Sequence, residues 1–183
     1  MIRFFDLLFS VLLICFLLPI FIFLLAINSL HFSSPLFFQA RVGKNKKTFT
    51  LIKYRSMKAT TQSMPTHMLN SDLLTKWGKF LRSSKLDELP QLWNVLVGDM
   101  SLVGPRPCLT NQRLLISERS KRNIFDVKPG ITGMAQVNCI DMSDPKLLAK
   151  IEETMLSNFG LKDYFRFLFL TLIGKGSGDN LKR

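Results

Sequence analysis

The chain has 183 residues, with 25 Lys and Arg against 13 Asp and Glu and a formal net charge of +12. A hydrophobic share of 47% with 16 Phe excludes long disorder, and the scattered Cys15, Cys108 and Cys139 exclude a disulfide scaffold. With only His31 and His67 beside them a zinc site is a poor fit, which leaves the pattern of a membrane-attached, strongly basic cytosolic domain.

Charge is absent between Asp6 and Arg41, and Leu7 to Ile27 is an almost unbroken apolar run. As a helix it spans roughly 31 Å, enough to cross a bilayer core. No small-residue cleavage pattern follows, so it does not read as a secretory signal. A single spanning anchor is one reading. Pro19, near the middle, removes a helix hydrogen bond and favours a kink. Arg3 before the run, and Arg41, Lys44, Lys46 and Lys47 after it, all prefer the cytosolic side. A helix that enters, bends at Pro19 and returns to the same face is the other reading.

Phe37 to Val42 and Thr48 to Arg55 are short β-prone runs around the basic turn Gly43-Lys44-Asn45-Lys46-Lys47, which predicts a hairpin. Alternation along the second run puts Phe49, Leu51, Lys53 and Arg55 on one face. There Lys53 and Arg55 are either a cationic pair or a solvated strand end. Residues 58–72 read as a mobile polar loop, with His67 a surface histidine.

Leu73 to Leu81 predicts a short helix ending in Arg82-Ser83-Ser84. Leu89, Leu92, Trp93 and Leu96 then recur at i, i+3, i+4 and i+7, one apolar helix face. Pro90 is tolerated only in a first turn, so this helix is expected to begin near Asp87. Asp87 and Glu88 thus fall at a helix N-terminus. Capping is the plain explanation, because Asp is a favoured N-cap and Ser84 three residues earlier has capping-box spacing. The same helix end attracts phosphate and keeps an Asp ionised, so a nucleophile or a Mg²⁺ ligand is the alternative.

Pro105 and Pro107 clamp Arg106 in stiff backbone, which suits bidentate phosphate binding, or simply forms an ordinary turn with Arg106 in water. Arg119 reads as an unremarkable basic residue of a polar helical stretch. Lys128-Pro129-Gly130-Ile131-Thr132-Gly133 reads as a loop whose glycines admit a ligand closely, though it matches no Walker or dinucleotide fingerprint. From Leu161 to Ile173, Tyr164, Phe165, Leu168, Phe169 and Leu172 lie at helical spacing, fitting either an interfacial membrane helix or a core helix.

Several ordered motifs carry a resemblance. They are Arg3-Phe4-Phe5-Asp6, Arg41-Val42-Gly43, Phe49 through Met57, the long run from Ser84 through Pro107, Pro129 through Gly133, and Ala135-Gln136-Val137-Asn138. Together they resemble the bacterial sugar transferase family, the monotopic polyprenyl-phosphate phosphoglycosyl transferases, in its minimal small form. The resemblance implies an α+β, mainly helical fold. Residues 1–36 would form a re-entrant membrane helix hairpin broken near Pro19. Residues 37–174 would form a compact cytosolic catalytic domain with a short β-hairpin and amphipathic interfacial helices, and 175–183 a flexible basic tail.

It also implies a reaction at the cytosolic face of the bacterial inner membrane, the first membrane step of glycan assembly. A UDP-sugar, with a HexNAc or deoxy-amino sugar favoured, gives its sugar phosphate to undecaprenyl phosphate and releases UMP. Asp87 maps to the family's nucleophile, which forms a phospho-aspartyl intermediate. Glu88 maps to its partner in metal binding or proton handling, and Mg²⁺, held by Asp87 and Glu88, is the expected cofactor. Lys53, Arg55, Arg82 and Arg106 are expected to line the diphosphate site. Pro129, Gly130, Thr132, Gly133, Gln136 and Asn138 are expected near the nucleotide or sugar. Membrane lipid is an expected partner, a homo-oligomer is allowed, and nucleic acid is not expected.

Departures from the family pattern lie in the second half. Met134 stands where Trp is common, Cys139-Ile140 where Gly-Arg is frequent, and the usual Tyr-Val pair is missing near Thr154-Met155. A basic nucleic-acid or acidic-lipid binding module also fits the charge, and an inactive adaptor of a glycan assembly complex is the other rival. Neither accounts for Asp87-Glu88 followed by a proline-clamped Arg106. A glycosidase fails, since adjacent carboxylates do not straddle a sugar bond across roughly 5–9 Å.

Overall fold

The computed structural model describes residues 1–57 and 75–176. The loop 58–72 with His67, the start of the helix expected from Leu73 and the end of the tail lie outside the described residues. The fold is a mainly helical α+β arrangement with a small sheet and one long apolar N-terminal helix.

The predicted hairpin forms from β1 (Leu36–Val42) and β2 (Thr48–Tyr54), paired from Leu36↔Tyr54 to Val42↔Thr48. Asn45 and Lys46 take left-handed backbone at φ 54° and 61°, which reverses the chain between the strands. After α2 (Lys76–Ser83) and α3 (Gln91–Val97) comes a second pair of strands, β3 (Ser101–Val103) and β4 (Cys108–Leu109). β4 joins β1, giving the order β2-β1-β4, while β3 runs parallel to β5 (Gly130–Thr132). The helices α4 (Arg113–Lys121), α5 (Met134–Val137), α6 (Pro145–Ser157) and α7 (Leu161–Leu172) complete the domain.

The core lies between the hairpin, α3 and α7, where Leu51, Leu92, Val95, Met100, Tyr164 and Phe167 pack together. β2 is an edge strand, and Asn94 of α3 occupies that edge. Its side chain accepts from the Ile52 amide at 3.1 Å and donates to the Thr50 carbonyl at 2.8 Å, which satisfies groups that an edge leaves open. Of the alternatives for the 161–173 stretch, the core helix is what the packing shows, on one face only. Tyr164 and Phe167 of α7 enter the core, while Phe169, Leu172 and Ile173, just beyond its end, stay exposed.

Helix α1 spans Ile2–His31 with Pro19 inside it. The helical backbone runs on through the expected break. Pro19 is exposed, and a proline that kinks a helix need not end it. Asp6, Ser10, Ile14, Leu17, Phe21, Leu24 and Asn28 recur every three or four residues and form the inward stripe. Phe16, Ile22 and Phe23 are exposed away from it.

Polar groups fasten both ends of this helix to one domain. The buried Asp6 carboxylate accepts from Ser101 Oγ, the Leu102 amide and the Tyr164 hydroxyl, each at 2.9 Å. Arg3 donates to the Val95 and Leu96 carbonyls at 2.6 and 3.0 Å, closing the C-terminal end of α3. At the far end the buried Asn28 donates to the Pro35 and Arg55 carbonyls at 2.6 and 3.0 Å and accepts from Trp77 Nε1 at 2.7 Å.

Candidate active site

Asp87 does not cap α3. It sits in a separate 3₁₀ turn, Leu86–Glu88, entered through Lys85 in left-handed backbone at φ 57°. Leu89 and Pro90 continue in right-handed backbone, and α3 starts only at Gln91. The helix therefore begins later than Pro90 alone predicts, because the 3₁₀ turn takes the place of its first turn. Nor does Ser84 form a capping box: its hydroxyl donates back to the Phe80 and Leu81 carbonyls at the end of α2. Freed from capping, Asp87 is only 5% exposed and lines a cavity of about 740 Å³.

Glu88 is the centre of the charge pattern. One of its oxygens, Oε1, accepts from Lys53 Nζ at 2.6 Å and from Arg106 Nη2 at 3.2 Å. Burial pushes its carboxyl up, but Lys53, Arg106 and then Lys85 outweigh burial and hold it down at about 2. Glu88 is thus an anion at neutral pH that draws two cations from distant segments to one point.

The other expected cations divide. Arg82, near the end of α2, lines the cavity and donates through Nε to Ser56 Oγ at 3.0 Å. Arg55 lies apart, packed over the Phe37 ring at 5.8 Å with Nη2 reaching the Leu36 carbonyl at 3.5 Å. It keeps the face of Lys53, because Phe37 is the cross-strand partner of Lys53, but it lines neither the cavity nor the adjoining cleft.

Gly130 packs closely against the backbone of Gly104. A Cβ on it would stand 2.0 Å from the Gly104 amide nitrogen, and a Cβ on Gly133 would stand 2.5 Å from the Gly104 carbonyl oxygen. The Gly104 amide donates to the Thr132 carbonyl and the Gly130 amide to the Pro105 carbonyl, both at 2.8 Å. These residues brace the turn that carries Arg106. Thr132 and Gln136 do line the cavity and Gly130 borders the narrow cleft behind it, whereas Pro129, Gly133 and the exposed Asn138 line neither.

Two cations missed in the site reading also reach the cavity, Arg41 and Lys85. Arg41 donates to the Pro107 carbonyl at 2.9 Å and to Gln39 Oε1 at 3.1 and 2.5 Å, so it ties the Arg106 turn to β1. The signal was present in Arg41-Val42-Gly43, but a lone basic residue in a strand has no periodic mark.

The donor set suits Mg²⁺ only in part. Among the described residues there is no group of three His, Cys, Asp or Glu side chains that would hold a metal unaided. Mg²⁺ commonly takes one or two carboxylates and completes its shell with waters and substrate phosphates. Asp87 and the second oxygen of Glu88 fit that manner of binding.

A carboxylate facing a cavity, beside a second one that gathers cations, is the arrangement against which likenesses to known proteins can be set. The family model described as bacterial sugar transferase matches residues 1–174. The chain belongs to the bacterial sugar transferase family. An uncharacterized sugar transferase of Bacillus subtilis is 45% identical over 74% of this chain and 67% of its own length. A UDP-glucose:undecaprenyl-phosphate glucose-1-phosphate transferase of Xanthomonas campestris is 45% identical over 62% of this chain and 25% of its own. An undecaprenyl-phosphate galactose phosphotransferase of Salmonella typhimurium is 31% identical over 92% of this chain and 39% of its own. The chain thus corresponds to less than half the length of the latter two family members.

Proposed function

We propose that the chain is a phosphoglycosyl transferase, moving a sugar 1-phosphate from a UDP-sugar to undecaprenyl phosphate through a phospho-aspartate on Asp87. The observation that carries this reading is the Asp87 carboxylate in the cavity wall, next to Glu88 with Lys53 and Arg106 gathered on it. An Asp87 oxygen attacks the sugar-bearing phosphorus, and the bond from that phosphorus to the bridging oxygen breaks, releasing UMP. A phosphate oxygen of the acceptor then attacks the same phosphorus and frees Asp87, leaving the sugar on a lipid diphosphate. Splitting the transfer in two lets one nucleophile serve both bulky substrates in turn.

Lys53, Arg82 and Arg106, with Arg41 and Lys85, offset the negative charge of the diphosphate, and Glu88 keeps Lys53 and Arg106 in place. Bound Mg²⁺ would supply further charge neutralisation at the phosphates, held by Asp87 and Glu88. The names of the relatives include glucose, galactose and N-acetylgalactosamine transfer. A screen therefore sets UDP-N-acetylhexosamines and deoxy-amino sugars against UDP-glucose and UDP-galactose. UMP release that needs undecaprenyl phosphate for sustained turnover is the expected result. No UMP from any donor, with salt-sensitive RNA binding instead, ends this reading in favour of a polyanion-binding module.

The same reading places the domain at the cytosolic face of the inner membrane, with α1 re-entrant and the exposed faces of α1 and α7 in lipid. Its support is that Asp6 and Asn28, near opposite ends of α1, are both buried in one domain. A helix crossing the bilayer would separate those ends by the membrane. A single cysteine at Ile2, in a cysteine-free background, should react with an impermeant maleimide only from the cytosolic side. Labelling only from the periplasm overturns the re-entrant reading.

A further inference from the structure

A second cluster of cations lies away from the cavity, where α1 begins and α3 ends. Gly98 closes α3 in left-handed backbone at φ 97°, a conformation that favours glycine, and so leaves a notch that no side chain of its own fills. A Cβ built there would stand 3.4 Å from Lys128 Nζ and 3.5 Å from Arg3 Nη2. The two cationic groups therefore flank one small space. Neither residue lines the cavity or the narrow cleft behind it.

The carbonyl end of α3 explains only half of this pair. Arg3 is engaged with the Val95 and Leu96 carbonyls, though Nη2 carries two hydrogens and keeps one for a further acceptor. Lys128 is half-buried, and its ammonium makes no hydrogen bond or ion pair among the described residues. Burial and then the repulsion of Arg3 pull its pKa below the usual lysine value, with Lys44 adding to them and Asp6 and Asp99 opposing. Asp6 is already held by Ser101, Leu102 and Tyr164, so Asp99 balances one of the three cations. A half-buried ammonium without a partner is unfavourable, and an anion between it and Arg3 relieves both the burial and the repulsion.

We propose that the notch at Gly98 binds the phosphate of an anionic membrane phospholipid, with Arg3 and Lys128 donating to its oxygens and Lys44 adding charge at the rim. Position selects this occupant. Arg3 lies in the first turn of α1, and the exposed apolar residues Phe4, Leu7, Leu8 and Val11 follow it directly. With α1 in lipid, the placement on which this inference rests, Arg3 comes level with the headgroups. A phospholipid there seats its phosphate in the notch and lays its acyl chains along the exposed side of α1. A soluble anion gains the charge contact alone. The bound lipid would brace the start of α1 against the end of α3, beside the ties that Asp6 already makes.

The test titrates the full chain in detergent micelles with phosphatidylglycerol or phosphatidylcholine and counts bound lipid by native mass spectrometry. Phosphatidylglycerol should bind in preference to the zwitterionic lipid. Lys128→Gln should weaken its binding by roughly tenfold, the scale of one hydrogen bond to a charged group, and Lys128→Arg should recover most of the loss. Lys150→Gln, at an exposed position on α6, removes the same charge elsewhere and should change nothing. Lys44→Gln, on the exposed hairpin turn, should give a smaller loss and repeats the test should Lys128→Gln fail to fold. Inorganic phosphate at equal concentration should not displace the lipid; displacement would assign the notch to soluble anions and overturn the proposal. So would equal binding of phosphatidylcholine, or losses in the Lys128 and Lys44 variants no greater than in Lys150→Gln. The readout is bound lipid and not transfer, so a negative result here leaves the UMP screen standing, and a negative UMP screen leaves this site standing.

Discussion

Asp87→Asn should remove the proposed sugar-phosphate transfer and leave the fold intact. Turnover should fall on the order of 10⁴-fold or more, the scale seen when a nucleophile is removed from an otherwise complete site. The substitution keeps the shape of the side chain and removes its charge. Asp87 caps no helix, since α3 begins at Gln91 and has no side-chain cap, so no cap energy is lost with it. Removing a carboxylate that is 5% exposed also relieves a desolvation cost. The variant should therefore match the wild type in thermal midpoint and membrane association. Donor labelled in the sugar phosphate, supplied without acceptor, should leave its label on the wild-type protein and none on the variant. Near-normal UMP release by Asp87→Asn, or label retained on it, would end the covalent mechanism.

The parts of the molecule legible in the sequence are those where a period repeats. The hairpin, α7 and the apolar run all follow from alternation or helical spacing, and so does the inward side of Lys53. Alternation gives Arg55 the face of Lys53, where it packs over Phe37, but it does not announce that Arg55 stays outside the cavity lining. Its carbonyl is held by Asn28 just past the end of the strand. The start of α3 was misread. Pro90 fixes where a helix can begin only if α-helical turns precede it, and Lys85 in left-handed backbone opens a 3₁₀ turn instead.

Isolated polar residues were the least legible. Asp6 meets Ser101, Leu102 and Tyr164 across the whole chain, and no local pattern announces such partners. The two sides of α1 could not be told apart either, because nearly all its residues are apolar. Only packing separates the stripe of Asp6, Ser10, Leu24 and Asn28 from the exposed Phe16 and Phe23. Gly104 and Gly130 illustrate the same limit. Each reads as a loop residue, yet what they provide is contact between two backbones.

Arg119 gives the largest expected change in stability. In sequence it is an unremarkable basic residue of a polar helical stretch, but it is 2% exposed on α4 and grips Glu152 of α6, itself 1% exposed. Nε donates to Oε2 at 2.7 Å and Nη2 to Oε1 at 2.5 Å, a two-pronged pair inside the domain. Arg119→Ala strands the Glu152 carboxylate, which typically costs roughly 3–5 kcal/mol. At this chain length that lowers the thermal midpoint by roughly 10 °C. Burial already raises the Glu152 carboxyl above 4.5, against the pull of Arg119. Without Arg119 it rises further, so the folded variant takes up a proton more readily than its unfolded chain. The destabilisation is then greatest above that raised value and shrinks as pH falls toward the unfolded one. Thermal midpoints of wild type and variant should converge as pH is lowered through the raised Glu152 value toward that of the unfolded chain. Replacing both partners, Arg119→Met with Glu152→Leu, removes the stranded charge and should recover most of the loss, because well-packed apolar pairs substitute for buried ion pairs at little cost. An Arg119→Ala midpoint equal to wild type, or a double variant no better than the single one, would show that the pair is not what joins α4 to α6.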